Sequence, residues 1–418
     1  MILFGFIIIV STLIYLSYKE NKTFINLITL LFAPYLLIIP INNWFFSESG
    51  FYYINNESIL SILISMLAYF LGAYLIKNKY DISSLPINKS ILGSYNMKRM
   101  TKVLYFIAII ALLKLIYSIK SGAFNSDNLD DTEGLMGHGP IGHILLIGYI
   151  ITPFVFLYWT YKKKFFYLLP VILIIICSFA SLVKYHVIGL VIMIYLFVGL
   201  YRRDLFIKGG ISLISLIVFL FIFNYALTFF IHDASVDNSF FVNHFWKYAS
   251  GSIIYQNYIV DNTVFGDSSI FYRLLSYICT LPNMFLSLIG IKLFPKEEYI
   301  QTLDLSYIGE EGNVVNAFGD LYPSAPTFID LLVYIGIIFL IGLVSKFIYV
   351  KRIKKALIKP DMFLVVFLTY FVFLTFFGTY AALPAPWELL VWSIIIPPFF
   401  LKNKKIFPWV SNQLLIQK

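Results

Sequence analysis

The chain has 418 residues, of which 60% are hydrophobic, 19% aromatic and only 13% charged, and its mean hydropathy is +0.84. A soluble domain carries roughly 45 to 50% apolar residues, so this composition excludes a soluble body and makes lipid the main solvent of a polytopic membrane protein. The net charge of +9 is spread over short loops and not gathered on one water-exposed face, which argues against a nucleic-acid partner.

In chain order, apolar runs fall near residues 2–18, 23–41, 58–76, 103–119, 141–161, 165–182, 187–201, 207–230, 328–349, 361–380 and 387–401. A helix needs about 20 residues to cross the hydrocarbon, so these runs predict an all-α fold of about eleven transmembrane helices, within a range of ten to twelve. The first run, from Met1 to Tyr18, lacks a basic leader and a small-residue cleavage site and reads as a retained span. Cys177 lies inside an apolar run, and with Cys279 it makes two cysteines, too few for a disulfide framework.

The loops alternate in charge. Lys19 and Lys22, then Lys98, Arg99 and Lys102, then Lys162 to Lys164, Arg202 and Arg203, Lys351 and Arg352, and finally Lys402 to Lys405 mark one side. The positive-inside rule makes that side cytoplasmic. The opposite loops carry Glu48 and Glu57, then Asp127, Asp130 and Asp131, then the long segment 231–327. The N-terminus is therefore expected outside and the C-terminus inside, in a multi-pass protein of the cytoplasmic (inner) membrane. Three regions follow: about eight helices in 1–230, a large external or periplasmic loop in 231–327, and about three helices with a cytoplasmic tail in 328–418. The halves show no repeat, unlike transporters built from symmetry-related halves.

Within the long loop, Ser268 or Ser269 can cap a helix, and Ile270, Leu274, Ile278 and Leu281 keep helical spacing up to Pro282. An amphipathic helix near 268–282 is expected, lying in the plane of the bilayer interface and stopped by the proline. A second apolar run, Phe285 to Ile289, is too short to span. From Lys292 to Ala325, Gly309, Gly312, Gly319 and Pro323 predict a loop.

Candidate chemistry concentrates here. Arg273 is one of few cations on the expected outer side, with Lys184, Lys247, Lys292 and Lys296. An arginine can meet a phosphate bidentately, or simply snorkel to headgroups. Lys184 and His186 form a turn between two spans, where a cation backed by a helix N-terminus suits an anionic headgroup and an ordinary wet turn is the bland account. His138, His143, His232 and His244 lack tight metal-ligand spacing, so no metal site is expected, and each remains a candidate general base. Asp320 and Tyr322 stand at a helix entrance, where they suit either a sugar or the aromatic belt of an interface. Lys114 and Glu388 read as groups snorkelling from span ends. No chain of buried carboxylates marks an ion path.

The layout resembles the O-antigen and capsular oligosaccharide repeat-unit polymerases, the Wzy family. The resemblance rests on whole-chain topology, on Gly319-x-x-Tyr322 before a span with Gly336 and Gly342, and on the cation Lys184. Relatives commonly place arginine where Lys184 stands and glycine near Asp330. The resemblance implies a membrane glycosyltransferase that moves a chain from undecaprenyl diphosphate onto a new lipid-linked repeat unit, without nucleotide sugar, metal or other cofactor. It casts Lys184, Arg273, Lys247 and Tyr322 as substrate-binding residues and His186, His244 or Asp320 as the catalytic base. A chain-length regulator and a flippase would be its partners. The O-antigen ligases, with a similar topology, and the lipid-linked oligosaccharide flippases are the alternatives.

Overall fold

A computed structural model of the chain describes residues 1–80, 92–120, 139–179, 184–206, 208–212, 215–216, 218–219, 222, 238–261, 269–295, 302–323, 326–376, 378, 380 and 383–402. The helices are α1 Ile2–Asn21, α2 Leu27–Ile41, α3 Asn56–Tyr74, α4 Met97–Lys120, α5 Gly139–Lys162, α6 Phe165–Phe179 and α7 Lys184–Tyr201. They continue with α8 Asn238–Ile254, α9 Gln256–Val260, α10 Ile270–Leu286, α11 Ala317–Asp320, α12 Phe328–Ala356, α13 Met362–Phe376 and α14 Pro384–Ile395. Among the described residues, six helices are long and apolar enough to cross a bilayer, and shorter apolar helices accompany them. The architecture is that of an all-α, multi-pass membrane protein with one short hairpin. Helices occupy the positions of the expected spans except 207–230, most of which lies outside the described residues, as do His138, His232 and the tail 403–418.

The chain forms two units, each discontinuous in sequence. The first comprises Met1–Ser83, Phe229–Arg352 and Tyr370–Trp387; the second comprises Ser84–Thr228, Ile353–Thr369 and Glu388–Lys418.

In the first unit, α2 starts at Asn26, whose side chain accepts from Thr29 N at 3.0 Å, and α3 starts at Asn55, which accepts from Ser58 N at 2.7 Å. These side chains satisfy amide donors that a helix start leaves open. Helices α3 and α12 meet backbone to backbone: a Cβ on Gly72 would overlap the Phe339 carbonyl, and one on Gly342 would overlap that of Tyr69. Small residues permit such close crossings in membranes. Polar bridges flank the crossing, Ser65 Oγ with Tyr334 OH and Tyr69 OH with Ser345 Oγ, each at 2.7 Å. One residue beyond Ser345 on α12, Lys346 is 3% exposed. Its ammonium pairs with Glu20 at 3.1 Å, and Asn78 N donates to the same carboxylate at 2.7 Å.

Three expectations for the long loop need correction. The amphipathic helix begins at Ile270, capped by Ser269, but it runs through Pro282 to Leu286. A proline four residues from a helix end forfeits one main-chain bond only, and the last turn survives that loss. The stretch expected as loop holds a hairpin, β1 Leu303–Asp304 with β2 Glu311–Gly312, and the single turn α11. The long helix α8 was not foreseen in the sequence.

In the second unit, Gly148 on α5 admits Ile107 of α4 and Ile174 of α6 at 3.2 and 3.3 Å from where a Cβ would stand. The Glu388 carboxylate receives both His143 Nδ1 at 2.8 Å and the Trp392 indole N–H at 2.7 Å. It is held by protein groups, which replaces the expectation that it snorkels.

Candidate functional site

Helix α10 turns its polar side inward. Arg273, Ser276, Tyr277 and Thr280 are buried, while Phe271, Leu275, Ile278 and Phe285 are exposed. A soluble surface helix does the opposite. Leaving such apolar side chains in water would cost about 1.5–3 kcal/mol each, which disfavours a fully solvated face.

The buried stripe meets the turn 316–322. Asn316 makes that turn: its Oδ1 accepts from the amides of Phe318 and Gly319, each at 3.1 Å. The same oxygen accepts from Tyr35 OH at 3.1 Å, and its amide nitrogen donates to Ser252 O and Gln256 Oε1 at 2.9 and 3.1 Å. One asparagine thus ties α2, α8, α9 and α11 together. Tyr334 OH donates to Phe318 O at 2.9 Å, which fastens the turn to α12.

Into this turn α10 sends Arg273, 1% exposed. Its Nη1 donates to Asp320 O at 2.9 Å and its Nη2 to Tyr322 O at 2.8 Å. Tyr277 OH donates to Asp320 Oδ2. Asp320 is fully buried; burial pushes its carboxyl up to about 7, against the opposing pull of the Arg273 charge. Tyr322 is buried beside the Tyr334 ring, with centroids 5.4 Å apart. Three sequence candidates, Arg273, Asp320 and Tyr322, are therefore in contact.

A second group lies on α8. His244 Nδ1 stands 3.7 Å and Lys247 Nζ 3.2 Å from Glu310 Oε2. These side chains are 13%, 22% and 14% exposed respectively. Tyr248 packs edge-on to the imidazole, with centroids 5.2 Å apart. The spacing of three residues puts His244 and Lys247 on one helical face, and the hairpin delivers Glu310 to it. This arrangement offers an imidazole facing a carboxylate that a lysine also holds, which suits proton transfer to or from a polar ligand. Sequence reasoning named the histidine and the lysine but did not single out Glu310, which shares no local pattern with them.

Lys184 and His186 belong to the second unit. Lys184 opens α7, and His186 is half-buried with the Tyr149 ring edge-on at 6.3 Å. The group on α8 and the turn at Arg273 are built within the first unit. Among the described residues no cluster of three or more His, Cys, Asp or Glu side chains is placed to hold a metal ion.

Comparisons with family models, with curated proteins and with solved structures find no match for this chain.

Proposed function

We infer that the protein polymerises undecaprenyl-diphosphate-linked oligosaccharide repeat units into O-antigen or capsular polysaccharide on the outer face of the cytoplasmic membrane. The observation that carries this reading is the group His244, Glu310 and Lys247, an acid–base pair beside a cation in a polar segment of an otherwise apolar chain. The charge alternation of the loops supports an outer position for that segment. The resemblance to the Wzy polymerases supplies the reaction class.

In the proposed step the acceptor sugar hydroxyl forms a bond to the anomeric carbon of the donor chain, and the bond from that carbon to the diphosphate oxygen breaks. The hydroxyl proton passes to His244. With Nδ1 turned toward Glu310, Nε2 is the nitrogen that accepts it, and the carboxylate stabilises the resulting imidazolium. The electron pair leaves with undecaprenyl diphosphate, whose added charge Lys247 offsets. The buried node at Arg273 holds the turn 316–322 in place. Its guanidinium serves two main-chain carbonyls, which supports a positioning role for Arg273.

The test is a gene deletion complemented by wild type, His244→Ala or Lys247→Ala, with surface polysaccharide resolved by chain length. The reading expects single repeat units at the surface, loss of the ladder, and restoration by wild type alone at equal protein level. Accumulation of the lipid-linked unit on the inner leaflet would make the protein a flippase. Long chains retained on their lipid carrier would make it a ligase.

A further inference from the structure

The hairpin that delivers Glu310 carries a second surface along the connection between its strands. Asn42 Nδ2 donates to Tyr52 O at 3.0 Å, and Asn43 brackets Ile54, accepting from its N–H and donating to its carbonyl at 2.9 Å each. The segment so fixed pairs with the hairpin edge: Tyr52 N donates to Leu305 O at 3.0 Å and Tyr307 N to Gly50 O at 2.8 Å. Gly50 has a φ of +103°, a conformation that side-chain-bearing residues rarely adopt. The pairing sets the Tyr52 and Tyr307 rings edge to face, with centroids 4.5 Å apart. Tyr258 on α9 joins them, its hydroxyl donating to Asp304 O at 2.8 Å.

Tyr307 is 83% exposed, a large aromatic ring held out from the surface by a built, paired backbone. Exposed Glu57, Asp261, Asp304 and Glu311 and the exposed amide of Asn313 lie on the same three segments. No lysine or arginine occurs in 42–57, 255–261 or 302–316. Such a surface repels anionic lipid headgroups, which cationic side chains would attract. It offers what a sugar needs. The C–H face of a pyranose stacks on the negative face of an aromatic ring, and carboxylate and amide oxygens accept its hydroxyl protons. Tyrosine gives this contact area with little side-chain entropy to lose.

We propose that Tyr52, Tyr258 and Tyr307 form a glycan-binding platform that seats an uncharged or basic sugar residue, with Asp304 and its acidic neighbours accepting hydroxyl protons. The identity of the glycan as a repeat unit rests on the polymerase reading; the platform itself does not. Its hairpin also carries Glu310, so a chain resting on Tyr307 is held beside His244 and Lys247.

The test uses the purified full-length protein in nanodiscs. The probes are oligosaccharides of one to four repeat units, freed by mild acid from the surface polysaccharide of the producing cells. Saturation-transfer NMR measures their binding to wild type, Tyr307→Ala and Tyr307→Phe. Loss of one stacking ring predicts binding weakened about three- to tenfold in Tyr307→Ala and near wild type in Tyr307→Phe. Equal binding by wild type and Tyr307→Ala, or none by wild type, overturns the platform. So does a Tyr307→Ala variant that loses only its affinity for phosphatidylglycerol vesicles, which would make the rings a membrane anchor. If the deletion strain keeps its ladder while Tyr307 still governs oligosaccharide binding, the polymerase reading fails and the platform stands.

Discussion

Arg273 Nη1 donates to the main-chain oxygen of Asp320 at 2.9 Å across 47 residues of sequence, so the buried cation holds the backbone of the turn that carries the buried carboxyl. The second arm of the fork, on Tyr322 O at 2.8 Å, closes the turn from the other side.

Replacing Arg273 by alanine leaves both carbonyls buried without these donors. An unsatisfied buried acceptor costs about 1–3 kcal/mol, so losing both donors costs Arg273→Ala about 2–6 kcal/mol, and Arg273→Lys, able to serve one carbonyl, loses less. Thermal unfolding in detergent should rank wild type above lysine above alanine. A normally stable alanine variant that makes no polymer would return Arg273 to the diphosphate role expected in the sequence.

The Asp320 carboxyl is raised by burial from its ordinary range to about 7. The folded state therefore holds this proton more tightly than the unfolded chain does. The stability linked to it is fully present below the unfolded value near 4 and is lost as pH rises through about 7. Asp320→Asn keeps an acceptor for Tyr277 OH and removes the titration. Melting temperatures between pH 5 and 8 should fall with pH in wild type and flatten in Asp320→Asn. An equal slope in both would show that Asp320 does not titrate there.

Much of this arrangement was legible before the structure. Ser268 or Ser269 as helix cap and the helix beyond it follow from spacing, and Arg273 stands out because outer cations are few. Asp320 and Tyr322 are marked by their place at a helix entrance and by the resemblance to the polymerases, since spacing alone does not separate a sugar site from an aromatic belt. What the sequence concealed was mostly non-local. The contact between Arg273 and Asp320 depends on how α10 docks, and Glu310 reaches His244 only through a hairpin whose strands are two residues each. Helix α8 was hidden because its buried residues, Trp246, Ser250, Ile253 and Ile254, sit among polar neighbours that mask the apolar period. Nothing in the sequence sets Lys346 apart, because it follows an apolar run as ordinary end-of-span lysines do, and Glu20, its partner, lies in the first helix.

Gly336 and Gly342 both lie on α12, yet only one is packed. A Cβ at 342 would overlap the Tyr69 carbonyl, whereas one at 336 would meet nothing within 4 Å. Backbone cannot yield as a flexible side chain does, so Gly342→Ala should cost about 1–3 kcal/mol by forcing α3 and α12 apart. Gly336→Ala should be neutral or slightly stabilising, since alanine favours the helix. Unfolding of the two variants side by side checks this, and equal behaviour would refute the close crossing.

The pair of Lys346 with Glu20 calls for a double-mutant cycle, because the two singles and the double separate the worth of the pair from the cost of stranding a charge. Lys346 is buried and Glu20 partly so, with 22% of its side chain exposed. Lys346→Met leaves a carboxylate that water can still reach and that Asn78 N still serves at 2.7 Å. Glu20→Gln leaves an ammonium inside the protein, beside the Tyr349 ring at 5.6 Å. Removing one member of a buried pair costs about 3–5 kcal/mol because a charge is left uncompensated, whereas replacing both by groups of similar size is often close to neutral. The expected order of stability is therefore wild type near the double variant, then Lys346→Met, then Glu20→Gln. If the two singles add up to the double, the charges do not interact, and α1 is tied to α12 by its apolar contacts alone.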